Sequence, residues 1–323
     1  MPPLWVVGIV RTRILGKTGL VVSELSLGTW GLSGDAYGPV EISDAEITLA
    51  RALEVGVNLI ETADVYGAGA MEELVGRVTA GNPDVLICTK GGTDRSTEPP
   101  RKRFDAAFLR ASVERSLKRL GRSCIDLYLL HNAQATTFYH GDTVDTLDAM
   151  KREGLIAHWG ASVGDMDAAR AAMSRGAGAL ELAYNLFNAH DLHALSGDIL
   201  WDKVGILARS PLGYGLLAGT WAKGREFPEG DHRRDRWSPA DLERRLDQLD
   251  AVRFLVRGDV QTLRGAAVRF VLSHHLVTTA VLGPKNVTQL EQLVRETGSG
   301  PRYLPDEALR ALPQALERLG IDS

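Results

Sequence analysis

The sequence predicts an α/β protein of the (β/α)8, or TIM-barrel, class. Three observations lead there. Short apolar runs alternate with stretches of helical period, eight such runs can be placed, and four side chains able to move a proton fall at or just beyond the ends of three successive runs. Those side chains are Glu61, Tyr66, Lys90 and His131. In a closed barrel of parallel strands such ends meet on one face, so residues distant in the chain become neighbours. The chain has 323 residues, more than the roughly 250 typical of the class, which leaves room for additions. A single domain over residues 1–323 is expected.

A β-hairpin is expected first, around Arg13 to Leu25, turning at Gly16-Lys17-Thr18-Gly19. Strand one, Leu25 to Leu27, runs into Gly28-Thr29-Trp30-Gly31. Ser43-Asp44-Ala45-Glu46 then has the pattern of a capping box for a helix to about Glu54, which Gly56 stops. Strands two, three and four are read at Val57 to Ile60, Val85 to Thr89 and Asp126 to Leu130. Between the last two, Phe104 to Leu120 places Leu109, Val113, Leu117 and Leu120 at helical spacing and ends at Gly121.

Strands five to eight follow at His158 to Ser162, Leu180 to Tyr184, Gly205 to Ala208 and Thr278 to Leu282, with helices at Thr143 to Glu153 and Asp165 to Ser174. Ser210 to Pro239, after strand seven, is too long for a βα turn, and a flap over the active face is expected. Ser238 and Pro239 start a helix as cap and first position. Asn286-Val287-Thr288-Gln289 opens another with a cap residue and a glutamine three positions on. Asp306 to Leu319 is expected as an extra C-terminal helix outside the barrel.

Composition limits the function. With 44% hydrophobic and 24% charged residues and a net charge of −4, the chain lacks the basic footprint of a nucleic-acid binder. No apolar run approaches the ~20 residues of a membrane helix, so no membrane association is expected. Met1 to Val10 is apolar before Arg11 and Arg13, the reverse of a secretory leader, and a cytoplasmic location is expected. Cys88 and Cys124 read as core fillers, and no metal cluster is foreseen. Taken singly, Tyr66 reads equally as a loop aromatic, Lys90 as a solvated lysine and His131 as a half-buried histidine; their shared position on one barrel face is what argues for chemistry.

Six segments, in order and each at a strand end, carry a resemblance: Gly28 to Gly31, Glu61 to Gly67, Thr89 to Gly92, Ile125 to His131, Ser210-Pro211-Leu212-Gly213 and Gly283-Pro284-Lys285-Asn286. Through them nearly the whole chain resembles the aldo-keto reductases. The segments around Ser162 and Arg209 resemble the aldose-dehydrogenase-type members. The resemblance implies a barrel binding NADP(H), with NAD(H) the alternative, across its carboxyl face, and a Tyr, Lys, His and Asp tetrad that interconverts a carbonyl and its alcohol. The expected substrate is a small aldehyde, ketone or sugar-like carbonyl.

Proton delivery to a carbonyl oxygen needs a donor with a suitable pKa. Tyr66 is assigned that role. Lys90 is expected to lower its pKa, Glu61 to anchor Lys90, and His131 to hydrogen-bond the substrate oxygen. Glu61 stands where the family carries Asp, one methylene longer, while Asp64 has the wrong parity to replace it.

The resemblance assigns Thr29, Trp30, Ser162, Glu181, Arg209, Ser210, Leu212, Gly213, Gly283, Lys285, Asn286 and Gln289 to the cofactor, with Lys285 and Asn286 meeting a 2′-phosphate. Val163, Glu181 and Leu293 replace the family's Asn, Gln and Asn. Arg209 is expected to pair with Glu181, either to cancel its charge beside the nicotinamide or as a structural ion pair. Trp30 is the preferred substrate aromatic, with Phe138 and Tyr139 as further candidates beside Tyr66 and His131. Arg101-Lys102-Arg103 and His232-Arg233-Arg234 read as loop charge, with the alternative that the second cluster, in the flap, helps hold a diphosphate or an anionic substrate. A redox-neutral lyase or isomerase using the same Tyr, Lys and His, and a slow-turnover NADP(H)-binding regulatory protein, stand as alternatives.

Overall fold

The computed structural model describes residues 10–298, 300 and 303–321. The leader reading for Met1 to Val10 falls almost wholly outside them. Among the described residues twelve strands are present: β1 Thr12–Ile14, β2 Val21–Ser23, β3 Leu25–Gly28, β4 Leu59–Glu61, β5 Leu86–Gly91, β6 Thr93–Asp94, β7 Arg101–Lys102, β8 Ile125–His131, β9 Ile156–Ser162, β10 Ala179–Ala183, β11 Gly205–Arg209 and β12 Val277–Leu282. Eight of them close a parallel barrel in the order β10-β11-β12-β3-β4-β5-β8-β9. These are the eight expected strands, with ends shifted by at most two residues.

Alternate residues point inward. Leu59, Cys88, Leu127, Leu129, Ala179, Leu207 and Val281 fill the barrel as one buried cluster with Leu15 and Val22. The last two come from the antiparallel hairpin β1–β2. Its turn docks at the amino-terminal mouth, where Lys17 N–H donates to Lys203 O at 2.6 Å. Leu15 packs so closely there that a Cβ on Gly205 would stand 2.6 Å from its side chain. The hairpin therefore plugs the barrel opposite the face where active sites lie.

The helices are α1 Ile42–Glu54, α2 Ala70–Val78, α3 Ala106–Leu120, α4 Ala135–Tyr139, α5 Thr143–Arg152, α6 Met166–Ser174, α7 His190–Ala194, α8 Ser196–Asp202, α9 Pro239–Asp250, α10 Leu263–Ser273, α11 Val287–Thr297 and α12 Asp306–Glu317. Side-chain caps form where expected at Ser238 and Asn286, and also at Asp105 and Asp165. The box at Ser43 does not form: α1 starts one residue earlier, at Ile42, and its cap residue Glu41 makes no side-chain bond. No helix among the described residues is long and apolar enough to cross a membrane.

Two additions shape the active face. A small antiparallel hairpin, β6–β7, rises from the loop after β5, where only loop was expected. After β11, the expected flap crosses the cleft and is fastened on its far side. His232 N–H donates to Ala36 O at 3.0 Å, and Tyr37 bridges to Asp231. The Arg233 guanidinium pairs with Asp231 and lies 4.7 Å from the ring centroids of both Tyr37 and Phe227. Such cation–ring contacts contribute roughly 0.5–2 kcal/mol each, enough to hold a strap in place.

Candidate active site

Glu61 ends β4, Lys90 sits one residue before the end of β5, and His131 ends β8. All three share the inward parity of the barrel-filling residues below them. Tyr66 opens a 3-10 turn just after β4. The Lys90 ammonium is buried, with 2% of its side chain exposed. It contacts Glu61 Oε1 directly, donates to Thr62 O at 3.1 Å and lies 3.7 Å from Glu181 Oε2. It also stands 5.1 Å from the centroid of the Tyr66 ring. His131 meets Tyr66 edge to face with ring centroids 6.1 Å apart, and Trp30 stacks on Tyr66 at 6.4 Å. The four residues singled out by their strand ends thus converge.

The longer carboxylate has a place made for it. A Cβ at Gly28 would lie 2.8 Å from Glu61 Oε2 and 2.9 Å from Val281, so glycine at that position leaves the room Glu61 occupies. Asp64 turns outward: its Oδ2 accepts from Ser112 Oγ at 2.9 Å, and burial pushes its carboxyl up to about 6. It does not stand in for Glu61.

Burial dominates the proton equilibria. It pulls Lys90 down to about 8, a fall that the Glu181 charge opposes. It also raises Tyr66 well above the usual phenol value, and the Glu181 charge adds to the rise. The net shift of Tyr66 is therefore upward, with desolvation of the phenolate its largest cause, where the sequence reading weighed the ammonium alone. Burial, with the charge of Lys90 second, holds His131 well below the ordinary imidazole value, so the ring is neutral. Its Nδ1 is buried without a hydrogen-bond partner.

A cleft of about 880 Å³ opens above these groups. Trp30, Ser162, Glu181, Arg209, Ser210, Leu212, Gly283, Lys285 and Gln289 line it together with Glu61, Tyr66, Lys90 and His131. Thr29, Gly213 and Asn286 do not line it. The Thr29 hydroxyl is turned to Thr62 Oγ1 at 2.9 Å, and Asn286 Oδ1 accepts the Gln289 N–H as helix cap. Ser210 adopts a left-handed φ of 57°, held by Asn185 Nδ2 donating to its carbonyl at 3.0 Å.

The expected Arg209–Glu181 pair is absent. Arg209 registers with Ala183, two residues beyond Glu181, and donates instead to Val163 O at 3.2 Å. Glu181 faces Lys90. Nor do Phe138 and Tyr139 line the cleft: Phe138 is in the core and Tyr139 is exposed. The cleft aromatics beside Trp30 are Tyr37, Tyr214 and Trp221, and its cations include Arg95, Lys102, Arg233, Arg236 and Arg264. The sequence reading noted Lys102 and Arg233 as loop charge and missed the others, whose only signal was membership of loops that follow barrel strands.

The cleft suits a phosphate-bearing dinucleotide. Its volume falls in the usual range for ligand sites, about 300–1,000 Å³. On its floor Glu181 Oε2, which faces the Lys90 ammonium at 3.7 Å, and Arg209 Nε are, like His131 Nδ1, buried with no hydrogen-bond partner among the described residues, as expected where a polar ligand completes the bonding. Toward β12, Lys285 and Arg264 supply positive charge, although Lys285 Nζ already donates to Tyr37 O at 2.8 Å and Arg264 is paired with Glu296. Among the described residues no group of three or more His, Cys, Asp or Glu side chains forms a metal site.

Comparison with known proteins agrees with this geometry. The profile of the aldo/keto reductase family matches residues 24–298. The aldo-keto reductase YhdN of Bacillus subtilis is 30% identical over 295 residues, covering 88% of each chain. The Schizosaccharomyces pombe protein named aldo-keto reductase yakc [NADP(+)] is 26% identical, covering 88% of this chain and 85% of its own. The solved glycerol dehydrogenase AKR11B4 of Gluconobacter oxydans superposes with a TM-score of 0.82 at 26% identity, covering 97% of each chain. A family match over most of the sequence, on a closed eight-stranded barrel with these side chains at its mouth, identifies the chain as a member of the aldo/keto reductase family, nicotinamide-dependent oxidoreductases of carbonyl compounds.

Proposed function

We propose that this protein is an NADP(H)-dependent oxidoreductase, a single cytoplasmic domain over residues 1–323, which interconverts a small carbonyl compound and its alcohol with Tyr66 as the proton donor and acceptor. The observation that carries the proposal is the buried Lys90 ammonium, in contact with Glu61 and 5.1 Å from the Tyr66 ring, on the floor of the cleft. The dinucleotide supplies the hydride. The raised pKa keeps the Tyr66 proton in place at rest. It moves only when negative charge develops on the substrate oxygen, and the ammonium behind the ring then stabilises the phenolate that remains.

Neutral His131 offers an N–H to the same oxygen and orients the carbonyl over the floor. Glu61 positions Lys90, and the strap at Asp231 and Arg233 excludes water. Lys285, just before α11, and Arg264, in the first turn of α10, favour the extra phosphate of NADP(H) over NAD(H). The free thiols of Cys88 and Cys124 agree with a reducing compartment. Steady-state assays with NADPH and simple aldehydes test the proposal: Tyr66→Phe is expected to abolish turnover while leaving the NADPH dissociation constant within a fewfold. Retained turnover removes Tyr66 from its role.

A further inference from the structure

We infer that the substrate carbonyl compound carries a carboxylate or phosphate, held at the lip of the cleft by Arg95 and Lys102 of the β6–β7 hairpin. The inference rests on the reading that Tyr66 and His131 meet the carbonyl oxygen. It starts from the charges of the hairpin, which divide into two sets. Arg101 and Arg103 face Asp94, each at 3.6 Å, and Arg103 also pairs with Asp105 at 2.6 Å. Arg95 and Lys102 line the cleft instead, and neither forms an ion pair with a carboxylate of the described residues.

Both cations are adjacent to the reacting groups. Arg95 Nη1 donates to the carbonyl of Val65, the residue before Tyr66, at 3.0 Å. Lys102 Nζ donates to Thr93 Oγ1 at 2.8 Å, and its charge is among those that hold His131 neutral. One N–H of each is engaged by these bonds, and an ammonium has three and a guanidinium five, so donors remain for a ligand.

The carboxylates of the cleft wall are committed elsewhere. Asp35 accepts from Gly67 N–H at 3.0 Å and from the Ser33 hydroxyl, while Glu61 and Glu181 face Lys90. Of the cations assigned to the dinucleotide, Lys285 follows β12, Arg264 stands in the first turn of the helix before it and Arg209 ends β11, and these two strands lie three and four places around the barrel from β5. A ligand that places its carbonyl at Tyr66 and extends toward the hairpin thus brings an anion to two fixed donors, and charge-assisted hydrogen bonds are about twice as strong as neutral ones.

The test compares kcat/KM, with NADPH, for two matched pairs: succinic semialdehyde against butyraldehyde, and glyceraldehyde 3-phosphate against glyceraldehyde. The expected result is a preference of about tenfold or more for an anionic member, expressed in KM and shrinking as salt rises from roughly 0.02 to 0.3 M. Lys102→Gln and Arg95→Gln are each expected to lower the anionic-to-neutral ratio by about fivefold. A preference within one pair only upholds the subsite and names its anion. Equal kcat/KM within both pairs overturns the inference and leaves the carbonyl-reductase reading standing. So does a variant whose NADPH dissociation constant rises tenfold at an unchanged substrate ratio, since it assigns these cations to the nucleotide. Failure of all four aldehydes to react with the native protein brings down the underlying reading, and this inference with it.

Discussion

Glu181 Oε2 and Lys90 Nζ lie 3.7 Å apart, although their strands, β10 and β5, stand three apart around the barrel. The ammonium behind Tyr66 therefore faces two buried carboxylates, Glu61 in contact and Glu181 beyond it. Around Lys90 itself two carboxylates face one cation, an excess of negative charge that Arg209, on the same floor, offsets.

A first prediction concerns Glu181 itself. The cationic ring of NADP+ is favoured over the neutral ring of NADPH by a carboxylate nearby, so Glu181→Gln is expected to shift the ratio of their dissociation constants toward NADPH by about tenfold, or ~1.4 kcal/mol. Fluorescence titration with NADPH and calorimetry with NADP+ check it. An unchanged ratio means that Glu181 is neutralised wholly by Lys90 and Arg209.

The second concerns pH. With Lys90 pulled down to about 8, the ammonium beside Tyr66 is present below that pH and lost above it. Carbonyl reduction is expected to fall as pH rises through about 8, and the limb should move to lower pH in Glu181→Gln, because that carboxylate raises the Lys90 value. The linked stability runs the other way. The ordinary value is 10.5, so between about 8 and 10.5 the unfolded chain binds more protons at this site, and its contribution to stability rises with pH. A pH–rate profile of kcat and denaturant titrations across that window measure both.

Third, Glu61→Asp is expected to lower kcat by about ten- to a hundredfold, because the shorter carboxylate draws back from Lys90 and vacates the space that Gly28 leaves for it. Gly28→Ala should produce a similar loss without changing any charge, by crowding Glu61. Stopped-flow oxidation of bound NADPH by a reactive aldehyde is the measurement. Activity equal to or above that of the native protein in Glu61→Asp would show that the extra methylene hinders the chemistry.

Fourth, Leu15→Ala is expected to cost about 2–5 kcal/mol of stability, since the side chain is fully buried in the barrel plug and little can move in to replace it. Chemical denaturation monitored by tryptophan fluorescence checks the loss. The change lies at the opposite end of the barrel from Tyr66.

The barrel was legible because its strands are short apolar runs separated by periodic helices, and because strand ends fix one face. What escaped has physical reasons. Helix α10 is buried nearly all round, from Gly265 to Leu272, so its sequence shows no polar face to mark it. The β6–β7 strands are two residues each, and two of their four residues are cations, which look like solvated loop.

The resemblance placed Glu181 and Arg209 at the cleft, but register decides which rung each occupies, and two residues along a strand is about 6.6 Å. That offset separates them and hands Glu181 to Lys90. Phe138 and Tyr139 sit side by side in one short turn, and the rotation of that turn sends one inward and the other to water. The direction of the Tyr66 shift was missed for a different reason: the neighbouring ammonium could be anticipated from sequence, whereas the depth of the phenol in the protein could not.

The hairpin under the barrel makes the catalytic chamber a vessel with one doorway. With Leu15 and Val22 filling the base, the groups at the barrel mouth are reached through the cleft that the flap crosses.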